Sequence, residues 1–221
     1  MTDILNKISR EHKLKLRSIG DAAQLAFERI HSARERAFGM SRGVVRQSAN
    51  CIRATHRGEF NKAKQILDDV KVLVTEMGAV VKDYPAVYYA GFIEDAQKEY
   101  VEASVTLALA EATPILGPEE LNVGCAPYLN GLSEVVGELR RYILDSLRKD
   151  DSTRCEELLS LMDEIYNVLV SMDFPEAVTR GLRRSTDVAR GLLERTRADL
   201  TVALREKRLE LKIDSILNSG I

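Results

Sequence analysis

Residues 128–143 read YLNGLSEVVGELRRYI and carry the pattern that decides the fold. Their apolar side chains recur every three or four positions, as they do on one face of an α-helix: Leu132, Val135, Val136, Leu139, Tyr142 and Ile143. Glu134 and Glu138 are four residues apart, so they share a different face. The stretch therefore predicts an amphipathic helix that turns one side to a core and holds two carboxylates beside it.

The same helical period extends outward over the whole chain, and no convincing strand pattern interrupts it. Proline and glycine mark the ends of the segments, and Ser152 is placed to cap the helix that follows it. Helices are predicted at about 2–56, 61–81, 86–112, 127–149, 153–172 and 175–210, the last with a break near Gly181 and a frayed tail. The sequence predicts an all-α fold, with residues 1–221 as a single-domain bundle of six or seven helices.

Composition limits the classes of function. The chain has 221 residues, 45% of them apolar and 30% charged, with a net charge of −2. The overall charge does not favour binding of nucleic acid. RNA binding would therefore need a local basic patch or a metal ion that bridges carboxylates to phosphate. Three cysteines far apart favour a reducing cytoplasm and no zinc site. No segment reaches the roughly 20 apolar residues of a membrane span, and no P-loop or GxGxxG motif occurs.

Carboxylates are the most informative side chains. Glu99 and Glu102 are three residues apart on the third predicted helix, and no further charge follows until Glu111. If this pair and the pair Glu134 and Glu138 converged, four carboxylates would need a cation between them. Hard oxygen ligands suit Mg²⁺, with Mn²⁺ as an alternative. Spacing alone equally fits solvated helix faces, although small residues such as Gly131 and Gly137 inside a helix often mark close packing.

Two segments that hold these carboxylates, Gln97–Ala103 and Tyr128–Leu139, resemble motifs of the translin/Trax family. A third match to the family lies near the C-terminus, in Leu182-Arg183-Arg184 and Glu194-Arg195-Thr196-Arg197. The resemblance spans nearly the whole chain and covers helix order and length. It implies a seven-helix translin-like fold, a hollow homo-octamer, and single-stranded nucleic acid or short RNA bound in the interior.

Within that family, Trax-type subunits cut RNA with an acidic cluster and Mg²⁺, whereas translin-type subunits mainly bind. The resemblance assigns Glu99, Glu102, Glu134 and Glu138 as catalytic residues and metal ligands. Position 134 resembles the place where Trax has Asp and translin has an apolar residue. Glutamate keeps the charge there but is one methylene longer.

Arginine suits phosphate contact because its guanidinium binds two oxygens at once. Two groups of arginines are predicted to bind nucleic acid: Arg42, Arg46 and Arg53 on the first helix, and Arg183 and Arg184 on the last. His12, His31 and His56 have no partner in a nucleophile motif and are predicted to be surface or packing residues.

Three functions remain open at this point. The leading hypothesis is an Mg²⁺-dependent endoribonuclease that binds and cleaves single-stranded or short duplex RNA. The alternatives are a non-catalytic translin-like RNA- or DNA-binding shell and a helical scaffold with no role in nucleic-acid binding.

Overall fold

The computed structural model describes the backbone of residues 2–219 and the side chains of residues 6–218. Every regular element in that range is an α-helix, which confirms the all-α prediction. Six helices are long and three are single turns. Their bounds are α1 Thr2–His56, α2 Phe60–Val81, α3 Pro85–Tyr88, α4 Gly91–Ala110, α5 Pro118–Leu121, α6 Cys125–Leu147, α7 Cys155–Val170, α8 Glu176–Thr179 and α9 Leu182–Ser219.

Three predicted segments differ from the structure in detail. The helix expected over 86–112 is divided, because Ala90 adopts extended backbone (φ −74°, ψ 136°) and α4 begins at Gly91. Ser152 does not cap α7, whose N-cap residue is Arg154 without a side-chain cap. The tail beyond residue 210 is helical to Ser219 instead of frayed.

Two predicted breaks do occur where the backbone needs a left-handed residue. Gly58 has a φ of 73° after α1, and Gly181 has a φ of 90° between α8 and α9. Glycine adopts this conformation without the steric cost that a Cβ would impose. At these two positions, glycine in the sequence therefore predicts the backbone conformation itself.

Helices α4 and α6 lie at the centre of the fold. α4 packs against α1, α2 and α6, while α6 also packs against α7 and α9. From Tyr100 to Leu107 every residue of α4 is buried. A central helix of this kind must present apolar or neutral residues on all sides, so a charged residue in this stretch, such as Glu102, has to be explained by its local partners.

Both long terminal helices extend beyond the packed core. Residues 6–32 of α1 and residues 205–218 of α9 are exposed throughout. The first core residues of α1 are Ala33 and Ala37. Within residues 2–219, no helix is long and apolar enough to cross a membrane.

Candidate metal centre

Gly131 brings α6 against α4 at the base of the site. A Cβ on this residue would lie 2.8 Å from the carbonyl oxygen of Lys98 and 2.8 Å from Cβ of Val101, closer than real Cβ contacts come. Only glycine permits this approach of two helix backbones. The contact lies next to Glu99 on α4 and one helical turn before Glu134 on α6, so it fixes how near their carboxylates can come.

Three of the four predicted glutamates meet at this crossing. Carboxylate oxygens of Glu99, Glu102 and Glu134 all lie within 4.8 Å of one another. Glu102 is buried, while Glu99 and Glu134 are partly exposed and face the opening of the cluster. Oxygens that share one Mg²⁺ ion lie about 3–4 Å apart, so small side-chain rotations suffice. This three-glutamate cluster could hold a divalent metal ion.

Burial and mutual repulsion govern the protonation of the cluster. Burial, followed by the charges of Glu134, Glu99 and Glu138, raises the pKa of Glu102 to about 8. The pKa of Glu99 is also raised, first by burial and then by Glu134. The fold thus holds carboxyl groups together at a cost in free energy, which a bound cation would offset.

Lys98 places a positive charge beside two of the clustered carboxylates. Its Nζ lies 2.6 Å from Oε1 of Glu134 and 3.8 Å from Oε1 of Glu99. Burial acts to lower the pKa of Lys98, but the hydrogen bond to Glu134 and the nearby carboxylates raise it overall. This role has no signal in the sequence, because a lysine beside a glutamate is common on helix surfaces. Only the partner on α6, 36 positions away, distinguishes it.

Glu138 has a different set of partners. Oε2 of Glu138 contacts Nε2 of His56, the last residue of α1, and lies 3.8 Å from Nη1 of Arg141. The His56 side chain is only 4% exposed. His56 is therefore a packing residue with a specific polar partner, and it had no local sequence signal because 82 positions separate the two. Glu138 lies outside the group of three, although its charge contributes to the raised pKa of Glu102.

A cleft of about 440 Å³ adjoins the cluster. Lys98 and Glu134 form part of its wall, and Asp95, Asn130 and Arg180 line it further away. Arg180 is paired with Glu94 at 3.4 Å. Glu134 is the member of the cluster that lines this cleft, so a phosphate in the cleft could contact its carboxylate.

The five arginines predicted to bind nucleic acid are all exposed, but they do not line this cleft. Arg42 lies over the ring of Phe38 at 5.8 Å, and Arg183 lines a separate groove between α7 and α9. Arg46, Arg53 and Arg184 are on the outer faces of α1 and α9. The structure thus places none of the five predicted arginines in the wall of the cleft beside the cluster.

Comparison with solved structures identifies the family. AfC3PO in complex with duplex RNA superposes with a TM-score of 0.80 and 33% sequence identity, covering 86% of this chain and 97% of that one. AfC3PO without RNA gives a TM-score of 0.78 at 32% identity, with 86% and 98% covered. This chain belongs to the translin/Trax family.

Two further relatives of this translin/Trax-family chain extend the comparison. Apo-NeC3PO matches in fold, with a TM-score of 0.74 at 20% identity over 83% of this chain and 96% of that one. An uncharacterised protein of Methanocaldococcus jannaschii is 28% identical over 180 residues, which is 80% of this chain and 79% of that protein. No protein-family model matches the sequence. The family resemblance predicted from the two glutamate motifs is confirmed.

Proposed function

We propose that this protein is an Mg²⁺-dependent endoribonuclease of the Trax type, which binds and cleaves single-stranded or short duplex RNA inside a homo-oligomeric shell. The observation that carries the proposal is the three-glutamate cluster, in which carboxylates from two helices lie within 4.8 Å of one another beside an open cleft. The likeness to AfC3PO, whose structure includes duplex RNA, supports RNA as the ligand. An octamer is the assembly that the family resemblance implies.

Glu99, Glu102 and Glu134 would hold the metal ion. Glu138 would contribute its negative charge from just outside the cluster. Mg²⁺ bound there supplies an activated water and positive charge for the phosphate that is attacked. Glu102 lies at the buried base of the cluster, whereas Glu99 and Glu134 lie at its mouth, where phosphate oxygens could share the ion with them. Lys98 is placed to exchange its ion pair with Glu134 for a phosphate oxygen when RNA enters the cleft.

The decisive experiment compares Glu134→Ala with the unmodified protein on a short labelled RNA, with Mg²⁺ and with EDTA. We expect metal-dependent cleavage by the unmodified protein and its loss in the variant, with RNA binding in EDTA unchanged. A matched control is Glu119→Ala on α5, which lies outside the cluster and the cleft. Cleavage that persists in Glu134→Ala would overturn the proposal. Binding without any cleavage in the unmodified protein would favour the non-catalytic translin-type function.

Light scattering tests the assembly, since a monomeric mass in solution would contradict an enclosing shell. Absence of RNA binding at low salt would instead favour the scaffold hypothesis.

A further inference from the structure

The charge of this chain is divided unevenly along its length. Residues 7–17 read KISREHKLKLR and carry five basic side chains and one acidic one, a net charge of +4. The whole chain has a net charge of −2, so the remaining residues together carry −6. A polyanion such as RNA would be attracted by this segment, whereas the chain outside it is acidic on balance.

That basic segment lies on the exposed arm of α1. All its residues are exposed, and none of its five basic side chains forms an ion pair with any of the side chains that the structure describes, those of residues 6–218. By contrast, basic residues of the core, such as Lys64, Arg140 and Arg197, are paired with carboxylates. The arm therefore presents positive charge that is available to an external anion.

Helical spacing gathers most of this charge on one face. Arg10, Lys13 and Arg17 are three and four positions apart, so they form a row along the helix. At a rise of 1.5 Å per residue, the segment lies roughly 25–40 Å from Ala33, where α1 enters the core. The row is thus held well away from the three-glutamate cluster on a rigid support.

The opposite face of the arm continues a face that the core buries, but it is only partly apolar. Ile30, Ala37 and Val44 are spaced by seven residues, and the last two are fully buried while Ile30 is 39% exposed. Ile8 and Ile19 lie on this same side of the arm. His12 and Lys15 fall between these two isoleucines at helical spacing, whereas a membrane-surface helix needs a continuous apolar face opposite its basic residues. The arrangement favours RNA over a lipid surface.

We propose that residues 7–17 of α1 form a second RNA-binding element, which holds the phosphate backbone outside the three-glutamate cluster and without regard to sequence. The inference rests on the proposed function, because it takes RNA as the ligand. Arginine and lysine side chains in a row suit such contacts, which carry affinity but no sequence information. The arm would capture RNA at long range for a chain that is otherwise acidic on balance.

The test compares two variants with the same change in charge. The arm variant carries Lys7→Gln, Arg10→Gln, Lys13→Gln and Arg17→Gln. The control carries Lys71→Gln, Lys82→Gln, Arg195→Gln and Arg208→Gln, which are also exposed and form no ion pair with the described residues. Glutamine keeps the helix propensity of both sets nearly unchanged. Affinity for a labelled RNA duplex is measured by fluorescence anisotropy in EDTA at several salt concentrations.

We expect the slope of log affinity against log salt to become shallower by about 3.6 in the arm variant, since four phosphate contacts are lost. The control should keep the slope of the unmodified protein. An unchanged slope in the arm variant, or an equal change in both variants, would overturn the assignment. Sedimentation with phosphatidylserine vesicles gives a further outcome: arm-dependent vesicle binding with unaltered RNA binding would assign the segment to a membrane instead.

The two proposals fail in different ways. If the unmodified protein binds no RNA, both are wrong. If it binds and cleaves RNA but the arm variant binds equally well, only the arm proposal is wrong.

Discussion

The Nζ of Lys98 on α4 lies 2.6 Å from Oε1 of Glu134 on α6, and this ion pair joins the two helices beside the three-glutamate cluster. A cation of the protein thus partly occupies the place that a metal ion would take. The same lysine lies 3.8 Å from Glu99, so it faces two of the three carboxylates. Metal binding must therefore compete with Lys98 for Glu134.

Lys98→Gln should tighten metal binding to the protein without RNA. Removing the ammonium group leaves the carboxylates without their cation, and a divalent ion then gains about one to two kcal/mol of interaction with them. We expect Mn²⁺ affinity by isothermal titration calorimetry to rise roughly tenfold. Lys71→Gln, on an exposed face of α2, should leave the affinity unchanged. Weaker binding in Lys98→Gln would mean that the lysine positions the carboxylates.

Glu102→Gln should make stability less dependent on pH. The pKa of Glu102 is raised to about 8 in the folded protein, above its ordinary value of 4.5. A folded state that holds its proton more tightly loses stability as pH rises between these two values, because the unfolded chain releases the proton first. The full shift corresponds to about 5 kcal/mol at most.

We therefore expect the free energy of unfolding, measured by urea titration without metal, to fall from pH 5 to about pH 9 more steeply in the unmodified protein than in Glu102→Gln. Mg²⁺ should bind more tightly as pH rises through this range, because the ion favours the charged carboxylate. Parallel pH profiles for the two proteins would show that Glu102 does not carry the raised pKa.

Gly131→Ala should destabilise the fold, by roughly 1–3 kcal/mol, because its Cβ would overlap the backbone of α4. Gly137 lies on the same helix, and its Cβ would meet nothing closer than 3.7 Å. Gly137→Ala should therefore stabilise the helix by up to about 1 kcal/mol. Urea unfolding midpoints measure both effects. A neutral or stabilising Gly131→Ala would contradict the close approach of the two helices.

His56→Ala should cost roughly 1–3 kcal/mol of stability, since it leaves the carboxylate of Glu138 without its buried partner. The change also removes the polar link between the end of α1 and α6. His12→Ala, on the exposed arm, serves as the control. Thermal unfolding separates the two variants, and equal midpoints would mean that the contact between His56 and Glu138 adds nothing to stability.

Much of the fold could be predicted because the signals are local. The apolar period of residues 128–143 produces a real helix, and Gly58 and Gly181 end or separate helices through their own backbone conformation. The division at Ala90 was not predicted, because a single extended residue leaves no compositional mark between two helical stretches. The helix from 211 to 219 was also missed, because its side chains, described to residue 218, are all exposed and none of them is buried in the core.

The candidate site could be predicted only in part. Pairs at i, i+3 and i, i+4 are fixed by helix geometry, so Glu99 with Glu102 and Glu134 with Glu138 could be grouped from the sequence. Helix geometry does not determine which rotamer each side chain takes or which neighbouring helix it contacts. The association of Glu138 with His56 and of Lys98 with Glu134 depends on contacts across 82 and 36 positions.

The sequence by itself determined that this chain is helical, that two helices carry paired carboxylates, and that residues 7–17 have a net positive charge. These properties follow from residue order and from the fixed period of a helix. Tertiary structure decided which carboxylates meet, because their meeting depends on how closely two helix backbones approach at Gly131. It also decided that the basic segment lies far from the cluster, since only packing determines where a long helix leaves the core.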